Sequence, residues 1–522
     1  MSNIPVVLVL PYPAQGHVNP LMILSQKLVK NGCKVVFVNT EFDHKRVVSS
    51  FGDQEHSRKH EEESVMKLVS VPDGLGADDD RNDFGKLCDA LQNSMPKELE
   101  KLIHNMHLKG ENKISFIVAD LFMAWALDVG KKFGMKGAIV GPASATTFAL
   151  TYSIPSLIHD GTLDSDGSSN NLFRFLQDWA RTVRQIPTHY APVRHFVFNC
   201  SHFLGETSNL HARSLFSFCP APRKQRSTCT SLRLTTKETI QISSSMAEMN
   251  IGDFFWLNIG DIISSKMIFQ YLIHCCQSLN LAEWWLCNTT HELEPGALSF
   301  VPKILPIGPL LRSYDSKIGT TKAIGQYWEE DLSCINWLDE QHHGTVLYVA
   351  FGSITLFDQN QFNELALGLV LTNRPFLWVI REGNKMEYPT EFKGHKGKIV
   401  SWAPQQKVLS HPAIACFVTH CGWNSTMEGL SNGVPFLCWP YFAEQIQNGR
   451  YICDELKVGL GFDKDKNGVV SCEELKLKVE QLLSDENVKS RSFELKEKLM
   501  NNIVKGGESW ENLNRFVKWL KE

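Results

Sequence analysis

The sequence lacks the short motifs of several common nucleotide-binding and metal-binding folds. Neither G-x-G-x-x-G nor G-x-x-x-x-G-K-[ST] occurs, which disfavours a nicotinamide-dependent dehydrogenase and a P-loop NTPase. Fourteen cysteines are scattered between Cys33 and Cys472 without a C-x-x-C pair, so neither a zinc ribbon nor a dense disulfide framework is indicated. We therefore expect reduced thiols, as in a cytosolic protein.

The chain also lacks an excess of positive charge and a long apolar run. Its 53 Lys and Arg against 57 Asp and Glu give a net charge of −4, which offers no basis for binding nucleic acid by charge alone. The start, MSNIPVVLVLPYP, has no basic n-region, and no apolar stretch reaches the roughly 20 residues of a membrane-spanning helix. We expect a cytoplasmic monomer with a small-molecule partner, no nucleic acid and no membrane span.

What is present is an alternation of apolar strands and helical patterns. The 522 residues, 43% apolar and 21% charged, have a globular composition and suit about two or three domains. The run IPVVLVLP is followed by the helical pattern PLMILSQKLVKNG, and the alternation starts again at residue 345 with TVLYVAFGS. This predicts two doubly wound α/β sheets in series, with a ligand cleft at the carboxyl ends of their strands.

Residues 168–236 differ from the rest of the chain. Eight Arg and one Lys against Asp178 and Glu206 give this segment a net charge of +7, without sustained periodicity. Two interpretations stay open: a solvated, Arg-rich surface insertion, or a segment foreign to the fold, such as translated intron sequence. The charge also allows an interaction module for acidic partners, which would bind with a strong dependence on salt.

The densest cluster of polar and aromatic residues runs from Trp402 to Gln445. Within it CFVTH is typical of a strand, CGWN of a tight turn and STMEGLSNG of the start of a helix. The backbone N–H groups of Asn424 and Ser425 would then form an anion site, to which His420 could add a hydrogen bond or charge. A purely structural interpretation is that Ser425 and Glu428 form a capping box.

This 44-residue stretch resembles the donor-binding signature of plant UDP-glycosyltransferases that act on secondary metabolites. The resemblance extends over nearly the whole chain apart from residues 168 to about 236, and it implies the GT-B fold, in which two Rossmann-like domains face each other across a cleft. The implied domains are an acceptor-binding domain at 1–305, a linker at 306–330, a UDP-sugar-binding domain at 331–500, and a C-terminal helix at 501–522 that packs back on the first domain.

The resemblance also implies a role for each matching residue of the donor site. Trp402 would stack on uracil, the Ala403 backbone would read the edge of the base, and Gln405 and Glu428 would bind the ribose. The remaining donor-site residues would hold the diphosphate or the sugar. The diphosphate set is Ser353, His420, Asn424 and Ser425, with Trp423 in the same motif, and the sugar pair is Glu444 and Gln445.

One residue departs from the family pattern, which usually has Asp at the position of Glu444. The extra methylene displaces the carboxylate by about 1 Å, enough to re-aim hydrogen bonds that tolerate little misplacement. Gln445 favours glucose by resemblance, so the choice of nucleotide is better specified than the choice of sugar.

A histidine and an aspartate follow two strands of the first sheet. His17 lies in the loop PYPAQGHVNP after the first strand, and Asp120 ends the strand ISFIVAD, so both belong at the carboxyl edge. An aspartate on Nδ1 would fix the imidazole tautomer and leave Nε2 to accept a proton. In the family, the matching residues form the catalytic dyad.

The resemblance implies an inverting transfer of a sugar from UDP to a hydroxyl or carboxyl of a small hydrophobic metabolite. His17 would be the general base, and no cofactor or metal is expected, because a helix end and His420 can hold the leaving diphosphate. The rival interpretation is a catalytically impaired nucleotide-sugar-binding protein whose acceptor site is disrupted by residues 168–236.

A calcium-loop pattern occurs near the C-terminus, made of Asp463, Asp465, Asn467, Gly468 and Glu474. A single loop lacks its usual partner, and the neighbouring lysines dilute its negative charge. A surface turn is the favoured interpretation.

Overall fold

Each run of strands in the sequence forms one parallel sheet. The computed structural model describes residues 4–49, 65–108, 113–168, 239–312, 325–384, 386–393 and 396–522. The chain separates into two compact units, of which the larger is Met1–Ile154, Gln241–Glu248 and Asp253–Glu522, and the smaller is Pro155–Ile240 and Met249–Gly252. Both parallel sheets lie in the larger unit, so the prediction of two doubly wound α/β sheets is confirmed.

The first sheet has seven parallel strands, of which the central ones are continuous apolar runs. They are β1 (Val6–Leu10), β2 (Lys34–Thr40), β3 (Met66–Val71), β4 (Phe116–Asp120), β5 (Lys136–Gly141), β8 (Trp284–Cys287) and β9 (Ile304–Pro306), with β6 (Thr239–Ile240) and β7 (Met249–Asn250) forming a separate antiparallel pair. Their order is β3-β2-β1-β4-β5-β8-β9. Every residue of β1 and β4 is buried, as expected of central strands covered on both faces.

The second sheet has six parallel strands of the same character. They are β10 (Val346–Ala350), β11 (Phe376–Val379), β12 (Gly397–Val400), β13 (Ile414–Thr419), β14 (Phe436–Cys438) and β15 (Gly459–Gly461). Their order is β12-β11-β10-β13-β14-β15.

In both sheets the strand order reverses between two central neighbours. The first sheet reverses between β1 and β4, and the second between β10 and β13. The connections on either side of such a point diverge, which opens a crevice at the carboxyl ends of the two strands. The loops after these four strands are therefore where the fold places ligand-binding residues.

Helices connect the strands. In the described residues they are α1 (Gln15–Lys30), α2 (Glu41–Ser49), α3 (Phe84–Asn93), α4 (Met95–Leu108), α5 (Ala126–Lys132), α6 (Ala145–His159), α7 (Ile262–Ser278), α8 (Pro295–Phe300), α9 (Ser333–Asp339), α10 (Gln359–Leu371), α11 (Gln405–Leu409), α12 (Trp423–Asn432), α13 (Gln445–Arg450), α14 (Cys472–Ser484), α15 (Glu486–Asn502) and α16 (Glu508–Lys521). No helix among them is long and apolar enough to cross a membrane.

The last helix packs against the first sheet. Phe516, Val517 and Leu520 of α16 lie in the apolar core beneath β1 and β2, and the Asn512 amide donates to the Pro306 carbonyl over 3.0 Å. The helix begins at Glu508 rather than at residue 501, because a turn with Gly506 in the left-handed region separates it from α15. Similarly, β9 extends to Pro306, one residue into the predicted linker.

The smaller unit contains the predicted basic segment. Residues 168–236 lie outside the described part of the chain except for Ser168, so the interpretations of this segment stay predictions. Within the described residues of this unit, β6 and β7 pair antiparallel, and the Ser168 hydroxyl donates to the Asp166 carboxylate over 2.6 Å.

Candidate active site

His17 and Asp120 form a hydrogen-bonded pair at the switch point of the first sheet. His17 lies in the first turn of α1, Asp120 is the last residue of β4, and Nδ1 and Oδ2 are 2.8 Å apart. The other carboxylate oxygen of Asp120 accepts from the Phe122 N–H over 2.9 Å. The Asp120 side chain is fully buried while that of His17 is 20% exposed, so the pair presents Nε2 as its accessible nitrogen.

The surroundings of His17 change its basicity in opposite directions. Burial lowers the pKa of His17, whereas the charge and hydrogen bond of Asp120, together with the charge of Glu444, raise it. The sum raises the pKa above the ordinary histidine value. Glu444 belongs to the second sheet's side of the molecule, so the basicity of His17 depends on residues from both sheets.

A cavity of about 240 Å³ is lined by residues that follow strands of both sheets. Asp120 lies behind His17 and does not line it. The twelve other predicted site residues all do: His17, Ser353, Trp402, Ala403, Gln405, His420, Trp423, Asn424, Ser425, Glu428, Glu444 and Gln445. The structure thus brings the predicted base and the predicted donor site into one cavity.

His420 sits in a slot made by two glycines. A Cβ atom on Gly352, after β10, or on Gly422, after β13, would lie 2.5 Å from the His420 Nε2 atom. Burial lowers the pKa of His420 to about 4, so the ring is neutral near pH 7. Of the two contributions predicted for His420, this environment favours the hydrogen bond over the charge.

We expect Gly352→Ala to weaken UDP binding by displacing the His420 ring, and Gly344→Ala is the matched control. Both glycines have left-handed backbones, with φ of 69° and 63°, so backbone strain alone should cost each variant about 1 kcal/mol of unfolding free energy. Only Gly352 has the His420 ring in the way, whereas nothing lies within 4 Å of a Cβ on Gly344. We expect calorimetry to show weakened UDP binding for Gly352→Ala alone. Equal UDP affinity in the two variants would contradict the slot.

The N-terminus of α12 faces the same cavity. The helix begins at Trp423 with Gly422 as N-cap and no side-chain cap, and its first i to i−4 bond runs from the Thr426 N–H to the Gly422 carbonyl. The N–H groups of its first turn therefore have no partner within the helix and form a site suited to phosphate. The capping-box interpretation is wrong, because Ser425 lies inside this helix rather than before it.

Gln405, Ser425 and Glu428 form one hydrogen-bonded group. The Gln405 amide nitrogen lies 2.8 Å from Ser425 Oγ and 2.7 Å from Glu428 Oε2. The side-chain oxygen of Gln405 accepts from the Tyr348 hydroxyl over 3.1 Å. Burial raises the pKa of Glu428, although the bond from Gln405 opposes this. This group offers an acceptor carboxylate and an amide suited to a vicinal diol.

Two side chains of α12 reach the first sheet's side. The Asn424 amide donates to the carbonyl of Gly16, the residue before His17, over 2.5 Å, and the Trp423 indole N–H donates to the Asn288 carbonyl over 2.7 Å. These bonds hold the N-terminus of α12, the end suited to phosphate, beside the turn of α1 that carries His17.

Glu444 ends a tight loop after β14, and Gln445 is the first residue of α13. Ala443 has a left-handed backbone with φ of 54°, and its N–H donates to the Asn258 carbonyl over 3.2 Å. The Gln445 side-chain oxygen accepts from the N–H groups of Tyr441 and Phe442, which leaves its amide nitrogen for other partners. Burial raises the pKa of Glu444, and the charge of His17 opposes this.

Several cavity residues were not predicted from the sequence. Gln326 lines the cavity and accepts from the Trp402 indole N–H over 3.3 Å. Trp328 does not line the cavity, but its ring packs at a tilt on that of Trp402, with ring centroids 4.7 Å apart. An aromatic and aliphatic wall also lines the first sheet's side of the cavity. Its members are Tyr12, Phe84, Phe122, Phe255, Ile268, Tyr271 and Leu272. Phe442, from the loop after β14, stacks on Phe84 with ring centroids 6.1 Å apart.

The calcium-loop pattern forms a surface turn. Lys478 is 3.0 Å from Asp463 and 3.5 Å from Glu474, so an ammonium group lies between two of the carboxylates that the pattern would assign to calcium. The Asp463 N–H donates to Glu474 over 2.9 Å, and Asp465 accepts from the N–H groups of the turn itself. This geometry favours the surface-turn interpretation.

Comparisons with known proteins agree with this fold. A sequence model of the family described as UDP-glucoronosyl and UDP-glucosyl transferase matches residues 320–502. UDP-glycosyltransferase 83A1 of Arabidopsis thaliana is 39% identical over 521 residues, covering 99% of this chain and 97% of the relative. Linamarin synthase 1 of Manihot esculenta is 29% identical over 549 residues, with coverages of 98% and 96%.

Solved structures show the same architecture at lower identity. A UDP-glucosyltransferase from Polygonum tinctorium capable of glucosylating indoxyl superposes with a TM-score of 0.71 at 23% identity, covering 100% of both chains. Phytolacca americana UGT2 in complex with UDP-2fluoro-glucose and pterostilbene gives 0.69 at 22% identity, covering 99% of this chain and 100% of that one. With two doubly wound sheets, one shared cavity and a full-length relative at 39% identity, the chain belongs to the plant UDP-glycosyltransferase family and is a UDP-glycosyltransferase with the GT-B fold.

Proposed function

We propose that this enzyme transfers glucose from UDP-glucose to the hydroxyl of a small, neutral, hydrophobic acceptor, with inversion and with His17 as the general base. The observation that carries the proposal is the shared cavity. His17 is oriented by Asp120 on one side, and the Asn424 amide ties the first turn of α12 to the residue next to His17. A base and a diphosphate site are thus held a short distance apart.

In this mechanism His17 acts on the acceptor and the second sheet acts on the donor. Nε2 of His17 accepts the hydroxyl proton while the acceptor oxygen bonds to the anomeric carbon and the bond from that carbon to the UDP oxygen breaks. The imidazolium formed is stabilised by Asp120, as the raised pKa of His17 reflects. Negative charge that develops on the diphosphate meets the N–H groups of α12 and the His420 ring, which stabilise it most in the transition state.

The donor side supports a uridine nucleotide with a hexose. Trp402 presents an aromatic face, and Glu428 and Gln405 suit the ribose diol. Glu444 is close enough to His17 for its charge to act on the imidazole, and Gln445 lines the same cavity, so both suit the sugar. Glucose is supported by Gln445 and by the neighbours' names, among them a complex with UDP-2fluoro-glucose and an enzyme capable of glucosylating indoxyl.

The acceptor side supports a neutral apolar molecule. The Tyr271 hydroxyl on this side already has partners, since it donates to the Phe122 carbonyl and accepts from the Trp125 indole. Arg312 is the one Lys or Arg among the described residues that line the cavity, and it pairs with Glu330 at 3.2 Å beside α11. A carboxylate acceptor would instead meet Glu444 near the base, without a cation to offset that charge.

This charge pattern predicts a preference between acceptors of matched shape. With UDP-glucose labelled in the sugar, transfer to cinnamyl alcohol should exceed transfer to cinnamic acid by at least about tenfold in kcat/KM near pH 7. Faster transfer to the acid would overturn the neutral-acceptor assignment. Tight UDP binding without transfer to any member of a broad acceptor panel would favour the alternative of a nucleotide-sugar binder, and recovery of transfer on deleting residues 168–236 would place the cause in that segment.

A further inference from the structure

Trp402 makes three contacts with the segment 325–331, called here the brace, one through its backbone and two through its indole. The Asp331 N–H donates to the Trp402 carbonyl over 2.9 Å, and the Gln326 side-chain oxygen accepts from the indole N–H over 3.3 Å. The Trp328 ring lies against the Trp402 ring with centroids 4.7 Å apart and planes inclined by 35°. Both the backbone and the ring of Trp402 are therefore constrained.

Trp328 packs on Trp402 but does not itself line the cavity. Trp402 and Gln326 line the cavity, whereas Trp328 is not among the lining residues. A uracil bound in the cavity would consequently contact Trp402 and not Trp328. Trp328 can act on the nucleotide only through Trp402.

The brace is fastened to helices of the first sheet. The Gln15 amide donates to the Gly325 carbonyl over 3.1 Å and its oxygen accepts from the Tyr327 N–H over 2.7 Å. The Arg46 guanidinium lies 4.0 Å from the Tyr327 ring centroid and 4.8 Å from that of Trp328, within the range of cation–π attraction. Gln15 is in the same first turn of α1 as His17, so one turn supports both the base and the brace.

We propose that Trp328 is a positioning residue, which holds the Trp402 indole in the orientation in which uracil stacks on it, and that Gln15 anchors this arrangement to the helix that carries His17. The proposal rests on the proposed function, because the stacking role of Trp402 belongs to it. It extends that function by making nucleotide affinity depend on Trp328 of the brace and on Gln15 of α1, neither of which lines the cavity.

The proposal predicts that loss of the Trp328 ring weakens binding of the donor and not of the acceptor. Loss of the Trp328 ring frees Trp402 to tilt, which weakens uracil stacking and leaves the acceptor wall and His17 in place. Trp328→Leu removes the ring but keeps an apolar side chain, and Trp328→Phe restores a ring. Trp510→Ala is a matched control, since Trp510 lies half-buried in α16 and away from the cavity.

The test is UDP calorimetry together with KM values for donor and acceptor in the full chain. We expect Trp328→Leu to raise the UDP Kd and the UDP-glucose KM by about three- to tenfold, the range of one aromatic pair, with an unchanged acceptor KM. Trp328→Phe should restore most of the affinity, Gln15→Ala should weaken UDP binding in the same direction, and Trp510→Ala should leave it unchanged.

The variant Trp402→Ala distinguishes a failure of the Trp328 proposal from a failure of the proposed function. If Trp402→Ala weakens UDP binding while a folded Trp328→Leu variant keeps wild-type affinity, the positioning role is wrong and the proposed function stands. If Trp402→Ala leaves UDP affinity unchanged, the stacking assignment itself is wrong, and the role of Trp328 fails with it. An equal rise of both KM values in Trp328→Leu would show a merely structural role.

Discussion

His17→Ala should lower kcat/KM for sugar transfer by about 10²- to 10⁴-fold, the contribution typical of a positioned general base. The affinity for UDP should not change. The proposed diphosphate site is formed by α12 and His420 and the proposed uracil site by Trp402, and neither includes the imidazole of His17. Radiolabelled transfer and UDP calorimetry on the same preparations give both quantities.

The chain provides a matched control for this substitution. His411 pairs with Asp339 at 3.1 Å in a second histidine–aspartate pair that does not line the cavity. His411→Ala should therefore keep wild-type transfer. Full activity in His17→Ala, or an equal loss in both variants, would contradict the assignment of His17 as the base.

Asp120→Asn should both slow the reaction and move its pH dependence. The charge and hydrogen bond of Asp120 raise the pKa of His17, and the neutral base required for catalysis accumulates only as the pH rises through that raised pKa. Without the charge the pKa falls, so the acid limb of kcat/KM should move to lower pH. The plateau should drop by up to about 10⁴-fold, because the amide no longer fixes the tautomer or stabilises the imidazolium.

Glu444 provides the comparison for the expected shift of the acid limb. Glu444 also raises the pKa of His17, but its charge is a smaller cause than that of Asp120 and it makes no hydrogen bond that sets the tautomer. Glu444→Gln should move the acid limb in the same direction and by less. An acid limb that stays in place in Asp120→Asn, or moves to higher pH, would contradict the pairing of His17 with Asp120.

The parts of the fold that the sequence predicts are those with a strong local pattern. Val6–Leu10 and Val346–Ala350 are continuous apolar runs, and such runs specify central parallel strands almost regardless of context. His17 and Asp120 directly follow or end such strands, and residues at the ends of parallel strands meet at one edge of the sheet. Their proximity could therefore be predicted without knowing the rest of the structure.

The parts that could not be predicted depend on contacts between distant segments. Ser425 and Glu428 fit a capping box, but helix α12 begins earlier because Gly422 takes the N-cap position, which spacing alone does not reveal. Phe255 and Tyr271 line the cavity, but no local sequence pattern distinguishes them from aromatic residues of an ordinary core. Trp328 lay inside the predicted linker, and only the folded chain shows that this segment packs on Trp402.

The anomeric configuration of the product tests the central claim most directly, namely that an imidazole from one sheet activates the acceptor against a sugar held by the other. UDP-glucose carries the α-anomer, and a single displacement by the acceptor oxygen must invert it. Proton NMR of the glucoside made by the full chain should show the large coupling of a β-glucoside. An α-glucoside would mean retention, which a single base-assisted displacement at His17 cannot produce.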